Sequence, residues 1–146
     1  MEAATICKEI DNVLTGRAAV RFAQTYRSID EQNELYAQGR TKPGKIVTNA
    51  RGGSSYHNYG LAIDIVLIID GKTASWDMVT DFDGDHVADW MECVKIFKSH
   101  GWEWGGDWKS IKDYPHFQRT FGKSEVQLLA LYKAGKFLPG TKYVQI

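Results

Sequence analysis

The chain has 146 residues, 43% of them hydrophobic, with eighteen basic against eighteen acidic side chains. That is enough apolar material for one domain with a real core, and too little length for two comfortable ones. A formal charge of zero excludes the basic footprint that nucleic acids or anionic membranes require. No run approaches the ~20 apolar residues of a membrane-spanning helix, and Met1 to Ile10 has no basic segment leading into an apolar stretch. The expectation is therefore a monomeric domain over residues 1–146, made in the cytoplasm without a signal peptide. Cys7 and Cys93 both fall in helical patterns with apolar neighbours and are expected as separate reduced thiols.

Ile6, Ile10, Val13 and Leu14 recur at helical spacing before Gly16, which predicts an opening helix closed by a glycine cap. Ala18 to Thr25 reads as a strand. Ser28-Ile29-Asp30-Glu31 matches a capping box, and the helix behind it is expected to reach Gly39 with Leu35 and Tyr36 turned inward. Lys42 to Lys45 is a turn, Ile46 to Thr48 a short strand, and Arg51 to Ser55 a loop. Leu61 to Ile69 is the clearest central strand, closed by Asp70-Gly71. Val87, Trp90, Met91, Val94 and Phe97 form a helical stripe ending near Gly101, and Val126, Leu129, Ala130 and Tyr132 mark a last helix before Gly135. Helices before, between and after short strands predict an α+β fold: a small antiparallel sheet flanked by helices.

One segment stands apart. From Ser55 to Asp64 the chain runs His57 and Asp64 into the apolar strand, and a carboxylate there is costly to bury unless an opposite charge or several hydrogen bonds meet it. A divalent cation shared with His57 would supply that partner. Asp113-Tyr114-Pro115-His116 offers a further imidazole and a second carboxylate three residues ahead of it. Two imidazoles and one carboxylate leave a tetrahedral zinc with an open position, the arrangement of a catalytic and not a structural site. Either histidine alone is more often a packed or solvated residue, and it is the combination at the sheet face that points to a zinc hydrolase.

The S-x-H-x-x-G-x-A-x-D pattern of Ser55, His57, Gly60, Ala62 and Asp64 precedes Trp104-Gly105-Gly106-Asp107-Trp108 and then Asp113-x-x-His116. Together these resemble the zinc D-Ala-D-Ala carboxypeptidase and L-alanyl-D-glutamate peptidase family, which cuts peptidoglycan stem peptides; the likeness runs from about Tyr26 to Gly122. The resemblance implies His57, Asp64 and His116 as zinc ligands and Asp113 as the general base and acid. It also implies Arg27 as the stabiliser of the transition state, where the bland reading is an ion pair with Asp30 or Glu31. Gln32 becomes a substrate-side donor, and Ser55 a substrate hydrogen-bonding group, with Ser54 beside it as the competing choice. Trp104 and Trp108 are candidates for the wall of a cleft, whereas Trp102 reads as core. Aspartate at position 113 favours the endolysin-like L-alanyl-D-glutamate endopeptidases, with a D-Ala-D-Ala carboxypeptidase as the alternative. Without room for a separate wall-binding domain or a signal peptide, such an enzyme would reach the wall by a holin-type route or by lysis.

Asp81 to Glu92 carries a second pattern. Asp81, Asp83, Asp85, Asp89 and Glu92 occupy positions one, three, five, nine and twelve of a calcium loop, and Val87 would supply a carbonyl at position seven. Against this, His86 stands where the loop normally needs glycine. The bland reading is an acidic turn in which Asp85 caps the next helix. A non-catalytic, calcium-dependent wall-binding module would use this loop and the tryptophans, but it leaves Asp64, Asp113 and both histidines without a role; zinc chelation would separate it from an enzyme.

Overall fold

The central strand is present as β2 (Ala62–Ile69) in the computed structural model, which describes residues 2–146. β1 (Ala18–Gln24) pairs with it antiparallel, matching Val20 to Leu67 and Phe22 to Ile65, with an irregularity after Phe22 that sets Gln24 opposite Asp64. β3 (Thr73–Ser75) returns along β2 through a tight turn in which Asp70 and Gly71 both take positive φ, 53° and 68°, the backbone such hairpins demand. β4 (Glu103–Trp104) and β5 (His116–Gln118) pair antiparallel, giving the order β1-β2-β5-β4 with β3 beside β2.

Alternation along these strands sorts the side chains into two faces. Ile63, Ile65, Leu67 and Ile69 join Val20, Trp104 and Phe117 in one core with Ile6 and Ile10 of α1 (Glu2–Val13) and Trp90, Val94 and Phe97 of α3 (Asp89–Ser99). The residues between them therefore point to the other face: Asp64 on β2, and His116 and Gln118 on either side of Phe117. β5 is only three residues long, too short to persist by pairing alone. Phe117 anchors it, fully buried and stacked on Phe97 at 4.2 Å between ring centres.

Residues up to Gln24 together with Ile63–Arg119 make up this first unit; Thr25–Ala62 and Thr120–Ile146 make up a second. The second carries α2 (Ile29–Ala37), a 3-10 turn (Tyr56–Tyr59) and α4 (Glu125–Lys133) around Tyr56, Tyr59, Ala62, Leu128 and Val144. Both of its α-helices begin in a capping box, Ser28 with Glu31 and Ser124 with Gln127. The described residues thus give the expected α+β class.

Several local expectations fail, each for a physical reason. Gly16 takes no left-handed conformation and does not cap α1; a Cβ there would lie 2.6 Å from the Phe82 carbonyl oxygen, so glycine lets the acidic loop approach. Ile46 to Thr48 forms no strand, and Ile46 and Val47 are exposed, because no neighbouring strand offers them a ladder. α2 stops at Ala37 and fully buries Gln32 while Leu35 and Tyr36 are half-buried. Val126 and Met91 face solvent; Leu128 and Cys93 fill the corresponding core positions. Cys7 and Cys93 are free thiols, as expected.

Candidate metal and catalytic site

His57 sits on the 3-10 turn, and its surroundings explain the motif residues around it. The Ser55 hydroxyl caps the turn by accepting the His57 N–H at 3.3 Å. Gly60 closes it with φ 71°, and a Cβ at Gly60 would meet the Tyr143 ring at 2.7 Å, so both backbone and packing require glycine. Asn58, almost fully buried, accepts the Gly53 N–H at 3.0 Å and donates to the Arg27 carbonyl at 3.0 Å, tying the loop and the end of the preceding segment to the turn. The Tyr59 hydroxyl donates to the Gly53 carbonyl at 2.5 Å, and burial pushes its phenol up to about 12, which keeps it a fixed donor.

The imidazole of His57 has its Nδ1 2.7 Å from the Thr25 carbonyl oxygen. A carbonyl only accepts, so Nδ1 carries the proton and Nε2 the lone pair. His116 is fixed in the opposite sense. Its Nε2 lies 2.9 Å from Gln118 Oε1, whose amide is oriented by a 3.4 Å contact of Nε2 with Glu103. Nδ1 of His116 then holds the lone pair and faces Asp64 Oδ1 at 3.0 Å. Two acceptors at that distance require a proton or a cation between them. Burial works against protonating His116, but the hydrogen bonds to Asp64 and Gln118 and the charges of Asp64 and Asp113 outweigh it and raise its pKa.

His57 of the second unit and Asp64 and His116 of the first supply three side chains that could hold a metal ion. Two imidazoles, each with its other nitrogen held by a protein oxygen, and one carboxylate are the donor set and the outer support that zinc takes. The residues present fit the metal.

Asp113 is exposed and sits in a turn shaped by the tryptophan-glycine segment. Its N–H donates to the Gly105 carbonyl at 3.1 Å, and its own carbonyl accepts from His116 N at 3.2 Å. A Cβ on Gly105 would lie 2.2 Å from the Asp113 carbonyl oxygen, and one on Gly106 would lie 2.3 Å from the Trp104 ring. Both glycines are demanded by close approach. Trp104, expected at a cleft wall, is instead buried in the core and donates its indole N–H to the Tyr114 carbonyl at 2.7 Å, bracing the same turn. Trp102 is core as expected, whereas Trp108 is half-buried with its ring 5.3 Å from that of His116. Arg27 donates to Gln32 Oε1 at 3.0 Å, and the Gln32 amide donates to the Ala50 carbonyl at 2.9 Å. Gln32 is fully buried, so its amide is spent within the protein and not on the substrate side.

A family profile described as D-alanyl-D-alanine carboxypeptidase matches residues 48–119, which carry all three candidate ligands and Asp113. Over those residues the chain is similar to the M15 peptidase family. It is 52% identical over 118 residues to the peptidoglycan L-alanyl-D-glutamate endopeptidase CwlK of Bacillus subtilis, covering 81% of this chain and 66% of that protein. It is 33% identical over 132 residues to the L-alanyl-D-glutamate peptidase of Listeria phage A118, covering 82% of this chain and 44% of the relative. The crystal structure of the Serratia marcescens L-Ala D-Glu endopeptidase ChiX matches with a TM-score of 0.47 and 27% identity, over 71% of this chain and 68% of that one. The chain thus spans just under two thirds of one curated relative and under half of the other. M15 peptidases are zinc-dependent. Among the described residues, no helix is long and apolar enough to cross a membrane.

The acidic loop takes a defined shape of its own. Asp81 accepts backbone N–H groups from Asp83, Gly84 and His86 at 3.2, 2.7 and 2.8 Å. His86 adopts φ 71°, the left-handed backbone expected to disfavour it. Asp85 does not cap α3: its carboxylate accepts the Val87 N–H at 2.8 Å, and the residue at the helix start, Ala88, has no side-chain cap. Asp89 and Glu92 are buried; burial, then the hydrogen bond to Asp85 and the neighbouring aspartates, pushes Glu92 up to about 7.

Three supporting groups are singled out by no motif in the chain: Gln118, which fixes His116; Asn58, which ties down the His57 turn; and the Thr25 carbonyl. Gln118 had a usable signal, since residues two apart on a strand share a face.

Proposed function

We propose that this chain is a zinc metallopeptidase that hydrolyses the L-alanyl-D-glutamate bond of peptidoglycan stem peptides. The observation that carries this reading is the pair of opposed imidazole orientations. Thr25 and Gln118 hold the outer nitrogens of His57 and His116, leaving the inner lone pairs and Asp64 as ligands. The Bacillus and phage relatives are named for cleavage of the L-alanyl-D-glutamate bond, which supports the bond assigned. When bound, zinc supplies a Lewis acid that polarises the scissile carbonyl and brings the pKa of its water to about 7.

The chain's own residues do the rest. Asp113 takes a proton from the attacking water and returns it to the departing D-Glu nitrogen as the C–N bond breaks. Arg27 lends its guanidinium to the oxygen on which charge develops, held by buried Gln32. In this reading Gln32 positions Arg27, Ser55 positions His57, and Trp108 contributes an aromatic surface beside His116. Mass spectrometry of digested peptidoglycan tests the assignment, because the new termini identify the bond. A free L-Ala carboxyl with a new D-Glu amine is expected; release of D-Ala alone would replace the reading with a carboxypeptidase.

A further inference from the structure

Outside the histidine site, charge is concentrated where the loop before α3 meets its first turn. Oxygens of Asp83, Asp89 and Glu92 lie within 4.8 Å of one another, and those of Asp81, Asp83 and Asp85 form a second group sharing Asp83. The buried members are what distinguish this cluster from a solvated acidic turn. Asp89 is fully buried: its Oδ1 accepts the Phe82 N–H at 2.7 Å, but Oδ2 is buried with no hydrogen-bond partner. Glu92 is only 7% exposed, and its Oε2 is also buried without a partner. Carboxylate oxygens taken out of water without donors, and set beside further carboxylates, call for a cation.

We infer that Asp81 to Glu92 forms a calcium site, with Asp89 and Glu92 on its buried side, Asp81 and Asp85 on its outer side, and Asp83 joining the two. The donors are all oxygen, which selects a hard ion over zinc. Calcium accepts six to eight such ligands with irregular geometry, whereas magnesium prefers one or two carboxylates and keeps its waters. The left-handed backbone at His86 removes the objection that the sequence raised.

The position of the site gives it a consequence. Asp89 opens α3 and Glu92 lies in its first turn, so the ion would bridge loop and helix. The same helix buries Trp90 and stacks Phe97 on Phe117, the residue between His116 and Gln118. Calcium would therefore brace the unit that presents two of the three histidine-site ligands, and this inference does not depend on the bond the enzyme cuts.

Calcium chloride titrated into the zinc-loaded full chain, followed by calorimetry and thermal melting with magnesium chloride as the comparison, provides the test. One calcium per chain and a melting point raised by at least about 4 °C at roughly 1 mM calcium are expected, with magnesium giving less than half that shift. Glu92→Gln and Asp83→Asn should each weaken calcium binding about tenfold or more. Glu92→Gln should melt no lower than the parent without calcium, because it removes a buried charge, and this separates a lost site from a lost fold. No binding heat and no melting shift at millimolar calcium would overturn the proposal, as would an undiminished response in both variants. An equal shift with magnesium would overturn the choice of ion.

Discussion

The two ligand clusters of this chain differ in what stands behind the ligands. At His57, Asp64 and His116, each imidazole is already oriented by an oxygen that belongs to the fold, the Thr25 carbonyl on one side and Gln118 on the other. At Asp81 to Glu92 the backbone is shaped by N–H groups donated to Asp81, yet one buried oxygen of each inner carboxylate, Asp89 Oδ2 and Glu92 Oε2, has no donor. The first arrangement stands before any ion arrives, and its mixed nitrogen and oxygen donors suit zinc. The second is repulsive without an ion, and its oxygens suit calcium. A site that must react keeps its scaffold independent of the metal, while a site that braces a helix can leave assembly to the ion.

Substitutions can break or sharpen that contrast, beginning with the largest effect. His116→Ala should abolish both zinc binding and hydrolysis, measured by metal analysis and peptide release. Asp113→Ala should retain zinc and lose about 10²–10⁴-fold in turnover, the range for a lost general base; near-normal rates would remove Asp113 from the mechanism. Gln118→Leu should weaken zinc by about 10–100-fold through loss of the support behind His116, with the calcium response unchanged. An equal loss of calcium response would mean that the clusters are not separate. Gly105→Ala should lower stability by roughly 1–3 kcal/mol by calorimetry, since its Cβ would press within 2.2 Å of the Asp113 carbonyl oxygen. The smallest effect belongs to Ser124→Ala, which removes one helix cap at a cost of about 1 kcal/mol and should leave both metal affinities alone.

Much of this was legible in the chain, and what was not has physical causes. Ser28 and Glu31 announced α2 because a capping box is a local, reciprocal pair of hydrogen bonds. β2 was legible because a long β-branched run has few other readings, and the apparent cost of Asp64 within it led directly to the histidines. β3, β4 and β5 were invisible, because strands of two or three residues show no periodicity and exist only through pairing and through anchors such as Phe117. Ile46 and Val47 misled for the converse reason: propensity without a partner strand leaves them exposed. Within the site, sequence spacing favoured residue types that touch metal or substrate. It could not reveal that Trp104 and Gln32 face inward, or that Gly16 makes room for Phe82, since those depend on which backbone lies opposite.

The account rests most directly on the histidine site being a single working zinc centre. Protein stripped by a chelator and titrated with zinc, with stem-peptide hydrolysis and bound metal followed together, tests this in one measurement. Activity should rise in proportion to bound zinc and level off at one ion per chain, and Asp64→Ala should bind none at the same concentrations. Full hydrolysis by the stripped protein, or recovery of activity without zinc bound at these residues, would contradict it.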